Sequence, residues 1–136
     1  MKLLRLKIVR NRILDQRGNL LSMDLSDVPF LVKRVFFVSD VRQDVRRGGH
    51  AHIACEQFLI VLNGQINVQS VRRSGVHRSL VRESITLHDG DSFYSPPLCW
   101  LDLCFSRGSV LAVLASHSYS ADDYIRDFEA FRTGEF

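Results

Sequence analysis

Apolar residues along this chain fall in short runs, rich in branched and aromatic side chains and separated by turn residues, which is the punctuation of an all-β protein. The runs predict strands over residues 3–9, 19–24, 30–39, 50–54, 57–62, 65–71, 79–87, 92–95, 100–105 and 110–116. Asn63-Gly64 is the strongest hairpin signal, because both positions tolerate the positive φ of a tight primed turn. Many short strands at close spacing mean a sandwich or a small barrel. Only the end departs from this pattern. Ser120-Ala121-Asp122-Asp123 reads as a helix start with a side-chain cap and an acidic first turn, and Tyr124, Ile125, Phe128 and Phe131 then make one apolar stripe. That stripe is expected to pack on the β-structure rather than to hold a cofactor.

The chain has 136 residues, the size of one domain spanning 1–136, and is long enough to bury about two thirds of its unfolded surface. No apolar run is long enough for a membrane span, and no charged-then-apolar leader precedes the first strand. A cytoplasmic protein is expected. Three cysteines, an odd number with no Cys-x-x-Cys, argue against a disulfide framework, and Cys55 in its apolar strand is expected to be packed. The net charge is only +3, but the cations are nearly all arginine, with lysine only at Lys2, Lys7 and Lys33. Guanidinium forks suit phosphate oxygens, which favours a phosphorylated small ligand. No recognition-helix motif, basic tail or basic-aromatic repeat points to nucleic acid.

The chemistry concentrates in Arg47-Gly48-Gly49-His50-Ala51-His52, followed by Glu56 and, after the next strand, by Asn63-Gly64. Side chains two apart on a strand share a face, so His50 and His52 stand side by side on one wall of a pocket. This His-x-His-x3-Glu pattern closed by a glycine is similar to the first motif of the cupin barrels, where such residues commonly hold a metal. The second cupin motif normally adds a histidine. Here that region reads Gly90-Asp91-Ser92-Phe93-Tyr94-Ser95-Pro96-Pro97-Leu98-Cys99-Trp100-Leu101, with the glycine and proline punctuation but no histidine after the glycine. A catalytic zinc or iron site usually has three firm protein ligands. Two imidazoles, with Glu56 as the one further candidate ligand, fall short of that, so no metal and no cofactor is expected, and the pair is free for acid and base work.

Further residues carry a closer resemblance. Asp15-Gln16-Arg17-Gly18-Asn19-Leu20, Val28-Pro29-Phe30 with Lys33-Arg34-Val35-Phe36, the Arg47 to His52 block, Glu56-Gln57, Asn63-Gly64, Pro96-Pro97 before Trp100, and Leu114-Ala115-Ser116 with Asp123-Tyr124-Ile125-Arg126 follow one another in order from near residue 15 to about residue 131. Together they resemble the sugar 3,4-ketoisomerases, cupin-fold enzymes acting on dTDP-4-keto-6-deoxyhexoses. The resemblance implies an all-β, cupin-type jelly-roll barrel with a short C-terminal helix. It further implies a homodimer working without metal, which makes dTDP-3-keto-6-deoxyhexoses for the aminodeoxy sugars of surface glycans or antibiotics.

Moving a ketone from C4 to C3 needs a base for the C3 proton, an enediol, and return of a proton at C4; histidine suits this because it titrates near neutrality. The resemblance implies that the pair His50 and His52 supplies the base and a proton relay among the sugar oxygens; His52 is the expected base, with His50 relaying protons or positioning its neighbour. Arg47 is expected at the diphosphate or the developing enediolate, with Arg17, Lys33 and Arg34 as further anion-binding candidates. Gln57, Tyr94 and Trp100 are candidates to border the sugar. Two positions depart from the family pattern. Phe37 stands where many members have a tyrosine, which removes a possible proton donor, and Leu101 stands where a histidine or arginine often follows the tryptophan. Two other classes stay open on the residues alone: a noncatalytic nucleotide-sugar-binding cupin that assists a glycan enzyme, and a metal-dependent cupin enzyme or sugar epimerase.

Overall fold

The computed structural model describes residues 11–75 and 79–136; the strand expected over residues 3–9 lies outside them. Strands β1 (Asn11–Asp15) and β2 (Gly18–Ser22) form a hairpin of their own. Strands β3 (Arg34–Val38), β5 (Gln57–Asn63), β8 (Ser92–Ser95) and β10 (Val110–Ala115) make one sheet in the order β3-β10-β5-β8. Strands β4 (Arg46–His52), β6 (Gln65–Arg73), β7 (Leu80–His88), β9 (Cys99–Phe105) and β11 (Tyr124–Ile125) make the other in the order β11-β4-β9-β6-β7. Every pairing is antiparallel. From β3 onward the chain changes sheet at each connection except the β6–β7 hairpin, which is the winding of a jelly-roll barrel. The expected all-β architecture is the one observed.

Strand β5 shows how the sequence builds the barrel wall. Leu59 and Val61 enter the interior cluster with Ile66, Val68, Phe93 and Phe105, whereas Phe58 and Ile60 enter a second cluster on the outer face. Both faces are covered, so the strand reads as a continuous apolar run instead of an alternation. Each large side chain so buried contributes roughly 1.5–3 kcal/mol relative to exposure. The outer cover comes from Met23, Phe30 and Val32. That role explains why the strand expected over residues 30–39 begins only at Arg34: the segment before it lies across the sheet. On the other sheet, Ala51, Val71, Trp100 and Ile125 pack under Phe131 and Phe128 of helix α1 (Phe128–Thr133).

Two turn readings need correction. Asn63-Gly64 closes no hairpin, because β5 pairs with β10 and β8 while β6 pairs with β7 and β9. Only Gly64 takes a positive φ there (92°), Asn63 does not, and the two residues carry the chain round a corner between the sheets. The helix expected from Ser120 starts later. Its cap is Asp127, whose side chain accepts from the backbone N–H groups of Glu129 and Ala130, and it ends at Gly134 in the left-handed region. Residues Ala121–Asp123 form a single 3-10 turn, and Tyr124–Ile125 pair with β4 as a strand. The apolar stripe read across residues 124–131 is therefore divided between a strand and a helix.

Candidate active site

A cavity opens at one end of the barrel interior, with Leu103, Phe105, Leu111 and Val113 in its apolar part and Arg47, His50, Gln57 and Tyr124 supplying its polar groups. Strand β4 delivers the histidines through a distortion. Its register against β9 slips between Gly48 and His50, and Gly48 and Gly49 both adopt positive φ (88° and 70°). A Cβ at Gly48 would lie 2.5 Å from the carbonyl oxygen of Leu101, so the double glycine is required both by conformation and by the closeness of β9. The bulge turns the Gly48 carbonyl toward His50, whose Nδ1 donates to it at 3.1 Å. A carbonyl only accepts, so the Nδ1 of His50 carries the proton and its Nε2 keeps a free lone pair.

His52 is fixed in the same tautomer by a different partner. Its Nδ1 lies 3.0 Å from Oδ2 of Asp123, which also accepts from the backbone N–H of Cys55 at 3.2 Å, while Oδ1 accepts from that of Ala54 at 2.8 Å. The Nε2 of His52 is enclosed and has no hydrogen-bond partner. The two imidazoles meet edge to face with centroids 5.1 Å apart, and the Tyr124 ring, opposite His52 in the β4–β11 register, lies 4.8 Å from His50 and 4.4 Å from His52. His50 borders the cavity directly; His52 stands behind it.

Burial holds both imidazoles below their ordinary value of 6.5, for His50 against the favourable bond to Gly48 and for His52 against the Asp123 carboxylate. The site thus presents neutral imidazole bases at pH 7. Cations surround it. The Arg34 guanidinium lies over the rings of Phe36 (4.6 Å) and Tyr119 (5.3 Å), and that of Arg126 lies 4.4 Å over Tyr124. With Arg47 on the cavity wall, these guanidinium groups suit a ligand carrying phosphate.

Family comparison agrees with this geometry. The family description FdtA: WxcM-like, C-terminal matches residues 2–135. A curated relative, the TDP-4-oxo-6-deoxy-alpha-D-glucose-3,4-oxoisomerase of Aneurinibacillus thermoaerophilus, is 33% identical over 123 residues, 89% of this chain and 85% of its own. The QdtA 3,4-ketoisomerase of Thermoanaerobacterium thermosaccharolyticum, solved with TDP, superposes with a TM-score of 0.79 at 32% identity, covering 93% of this chain and 90% of that one. The WlaRB TDP-quinovose 3,4-ketoisomerase of Campylobacter jejuni gives a TM-score of 0.77 at 33% identity, covering 93% and 95%. The chain belongs to the sugar 3,4-ketoisomerase family. Its barrel is accordingly of the cupin type, and its class is that of an isomerase.

Within this ketoisomerase fold the residues singled out from sequence separate into two groups. Arg47, His50 and Gln57 line the cavity, with His52 packed behind His50 and the Arg34 guanidinium over Phe36 of its wall. Tyr94 does not: it faces the outer cluster with Phe30, and its hydroxyl donates to Glu56 at 2.5 Å, an environment that pushes its pKa up to about 12 through burial and that bond. Trp100 is 6% exposed on the outside of the other sheet, packed against Phe128 and Phe131, because alternation along β9 points it away from the interior that Leu101 and Leu103 face. Lys33 is exposed just before β3, and Arg17 sits at the exposed turn of the β1–β2 hairpin, paired with Asp15 at 2.6 Å. Neither borders the cavity of its own chain.

The departures at Phe37 and Leu101 also separate. Phe37 is 66% exposed on the outer face of β3, so a hydroxyl there would not enter this cavity, whereas Leu101 lines it beside His50 and adds an apolar group to its wall. The donor set considered for a metal does not converge, since Glu56 is engaged by Tyr94 and the Nδ1 of His50 by Gly48. Among the described residues one other group, His52, Cys55 and Asp123, brings three potential ligand atoms within 4.8 Å. Both oxygens of its carboxylate are already accepting from backbone N–H groups and from His52. Asp123 and Tyr124 are the site residues that sequence reasoning placed elsewhere, as a helix start and an apolar stripe; their position in the Asp-Tyr-Ile-Arg block was the available signal.

Because both imidazoles have native pKa values below 6.5, the folded protein binds fewer protons than the unfolded chain as acidity rises. Their contribution to stability is complete above 6.5 and is lost as pH falls through the native values, and the free-base form disappears over the same window. The acid limb of kcat/KM is expected to centre below pH 6.5, and a limb centred above that value contradicts the assignment.

Proposed function

We propose that this protein converts dTDP-4-keto-6-deoxy-D-glucose into a dTDP-3-keto-6-deoxyhexose by metal-independent acid and base catalysis. The observation that carries this reading is the free, neutral Nε2 of His50 on the wall of a cavity that Arg47 also lines, in a chain of the ketoisomerase family. His50 Nε2 takes the C3 proton; the C3–H electron pair becomes the C3=C4 bond as the C4 oxygen gains a proton, giving the enediol. In the second half the C3 hydroxyl loses its proton, C3=O forms, and the imidazolium returns a proton to C4. Atoms and charge balance without an external oxidant.

The role first expected of His52 passes to His50 in this reading, because His52 Nε2 is enclosed behind it. His52 and Asp123 act as a positioning pair that fixes the imidazole wall, Arg34 and Arg47 meet the diphosphate, and Gln57 offers its amide to a sugar hydroxyl. The 3-keto product suits amination at C3, which supports a role in the making of aminodeoxy sugars, with the cytoplasm as the expected location. Among the described residues no helix is long and apolar enough to cross a membrane. A homodimer is part of the proposal: Leu14 and Leu20 on the separate hairpin and Val35 and Phe37 on the edge strand β3 leave apolar surface uncovered, as a second copy of the chain would require.

Incubation with dTDP-4-keto-6-deoxyglucose, read by NMR, is expected to give the 3-keto sugar at an undiminished rate in the presence of a chelator. An unchanged substrate signal rules out the activity, and loss of turnover on chelation, restored by one divalent ion, rules out the metal-free mechanism. Sedimentation at micromolar concentration is expected to give a dimer; a stable monomer removes that part of the proposal.

A further inference from the structure

We infer that Tyr124 is the second proton-transfer group of the site, the one that serves the two sugar oxygens while His50 serves the two carbons. The inference rests on the proposed ketoisomerase reaction, whose balance requires it: one proton moves between C3 and C4, and another must reach O4 and leave O3. A single imidazole that has just taken the carbon-bound proton has its Nδ1–H committed to the Gly48 carbonyl and its Nε2 already protonated. It has no further capacity for the oxygen side.

The cavity wall supplies few alternatives. Its polar side chains are Arg47, His50, Gln57 and Tyr124. A guanidinium does not release its proton at working pH, an amide neither gains nor loses one, and the imidazole of His52 is enclosed behind the wall with its Nδ1 on Asp123, so only the His50 imidazole and the phenol can both give and take a proton in the cavity. The Tyr124 hydroxyl has no hydrogen-bond partner among the described residues, unlike that of Tyr94, which is committed to Glu56. Its ring is held in place on three sides: by the two imidazoles at 4.8 and 4.4 Å, by the Tyr119 ring at 5.8 Å, and by the Arg126 guanidinium at 4.4 Å. Pairing of Tyr124 with His52 in the β11–β4 register keeps the phenol beside the histidines as part of the sheet, not on a loose loop. In the first half of the reaction the phenol O–H bond breaks and its proton goes to O4 as the C4=O π pair is released; in the second half the phenolate takes the proton from O3 as C3=O forms, and the phenol is restored.

Replacing Tyr124 by phenylalanine keeps the ring and its packing while removing the hydroxyl. Turnover is expected to fall by on the order of a hundred- to ten-thousand-fold, with TDP affinity unchanged. Replacing it by a fluorinated tyrosine, which keeps the hydroxyl but makes it more acidic, is expected to move the basic limb of kcat to lower pH, a shift that a merely structural ring would not produce. Turnover of Tyr124→Phe close to that of the parent, or a basic limb unmoved by fluorination, overturns the assignment to Tyr124. Absence of 3-keto product from the parent protein itself overturns the underlying reaction instead, so the two failures are distinguishable.

Discussion

A single carboxylate organises this site. Asp123, sixteen-hundredths exposed at its side chain in its pair with His52, binds an imidazole and two backbone N–H groups that lie about seventy residues earlier in the chain. Those contacts join the turn before β11 to the end of β4, and so decide three things together: the tautomer of His52, the path of residues 52–55, and the seat of Tyr124 against both histidines. Removing the carboxylate would leave two backbone donors and an imidazole proton unsatisfied in a partly buried place, a cost of roughly 1–3 kcal/mol for each such group. Site and barrel closure are therefore held by the same bonds.

The second constraint comes from the glycine pair. A strand with ordinary residues at positions 48 and 49 would keep register with β9 and would not aim the Gly48 carbonyl at His50. The bulge converts a regular hydrogen-bonding group of the strand into the device that sets the proton on one ring nitrogen and frees the other. Burial then lowers the pKa of that imidazole, so the neutral form, which the proposed abstraction at carbon requires, is the one present at neutral pH. Sheet irregularity, tautomer and reactivity form one causal sequence.

Much of this was legible in the chain. The strand runs identified the barrel, and the His-x-His spacing put two imidazoles on one of its walls, because a period of two is a local property. What was not legible depended on pairing at long range. Asn63-Gly64 has hairpin chemistry, yet the partners of β5 and β6 are strands distant in sequence, so the turn became a corner. Ser120 to Asp123 has the composition of a helix start, yet the carboxylate was claimed by backbone donors far earlier in the chain and the helix began at Asp127 instead. Tyr94 and Trp100 lie on barrel strands, but alternation turned both outward, where covering segments buried them. Which of two adjacent histidines meets the cavity likewise follows from the bulge and from Tyr124, neither of which spacing alone reveals.

The central claim is that His50, held with its proton on Nδ1, is the base that meets the sugar. Its most direct test compares kcat/KM of His50→Asn with that of the parent at fixed pH, alongside TDP binding. The account predicts a drop of on the order of a hundred- to ten-thousand-fold with nucleotide affinity retained; full turnover in His50→Asn would contradict it.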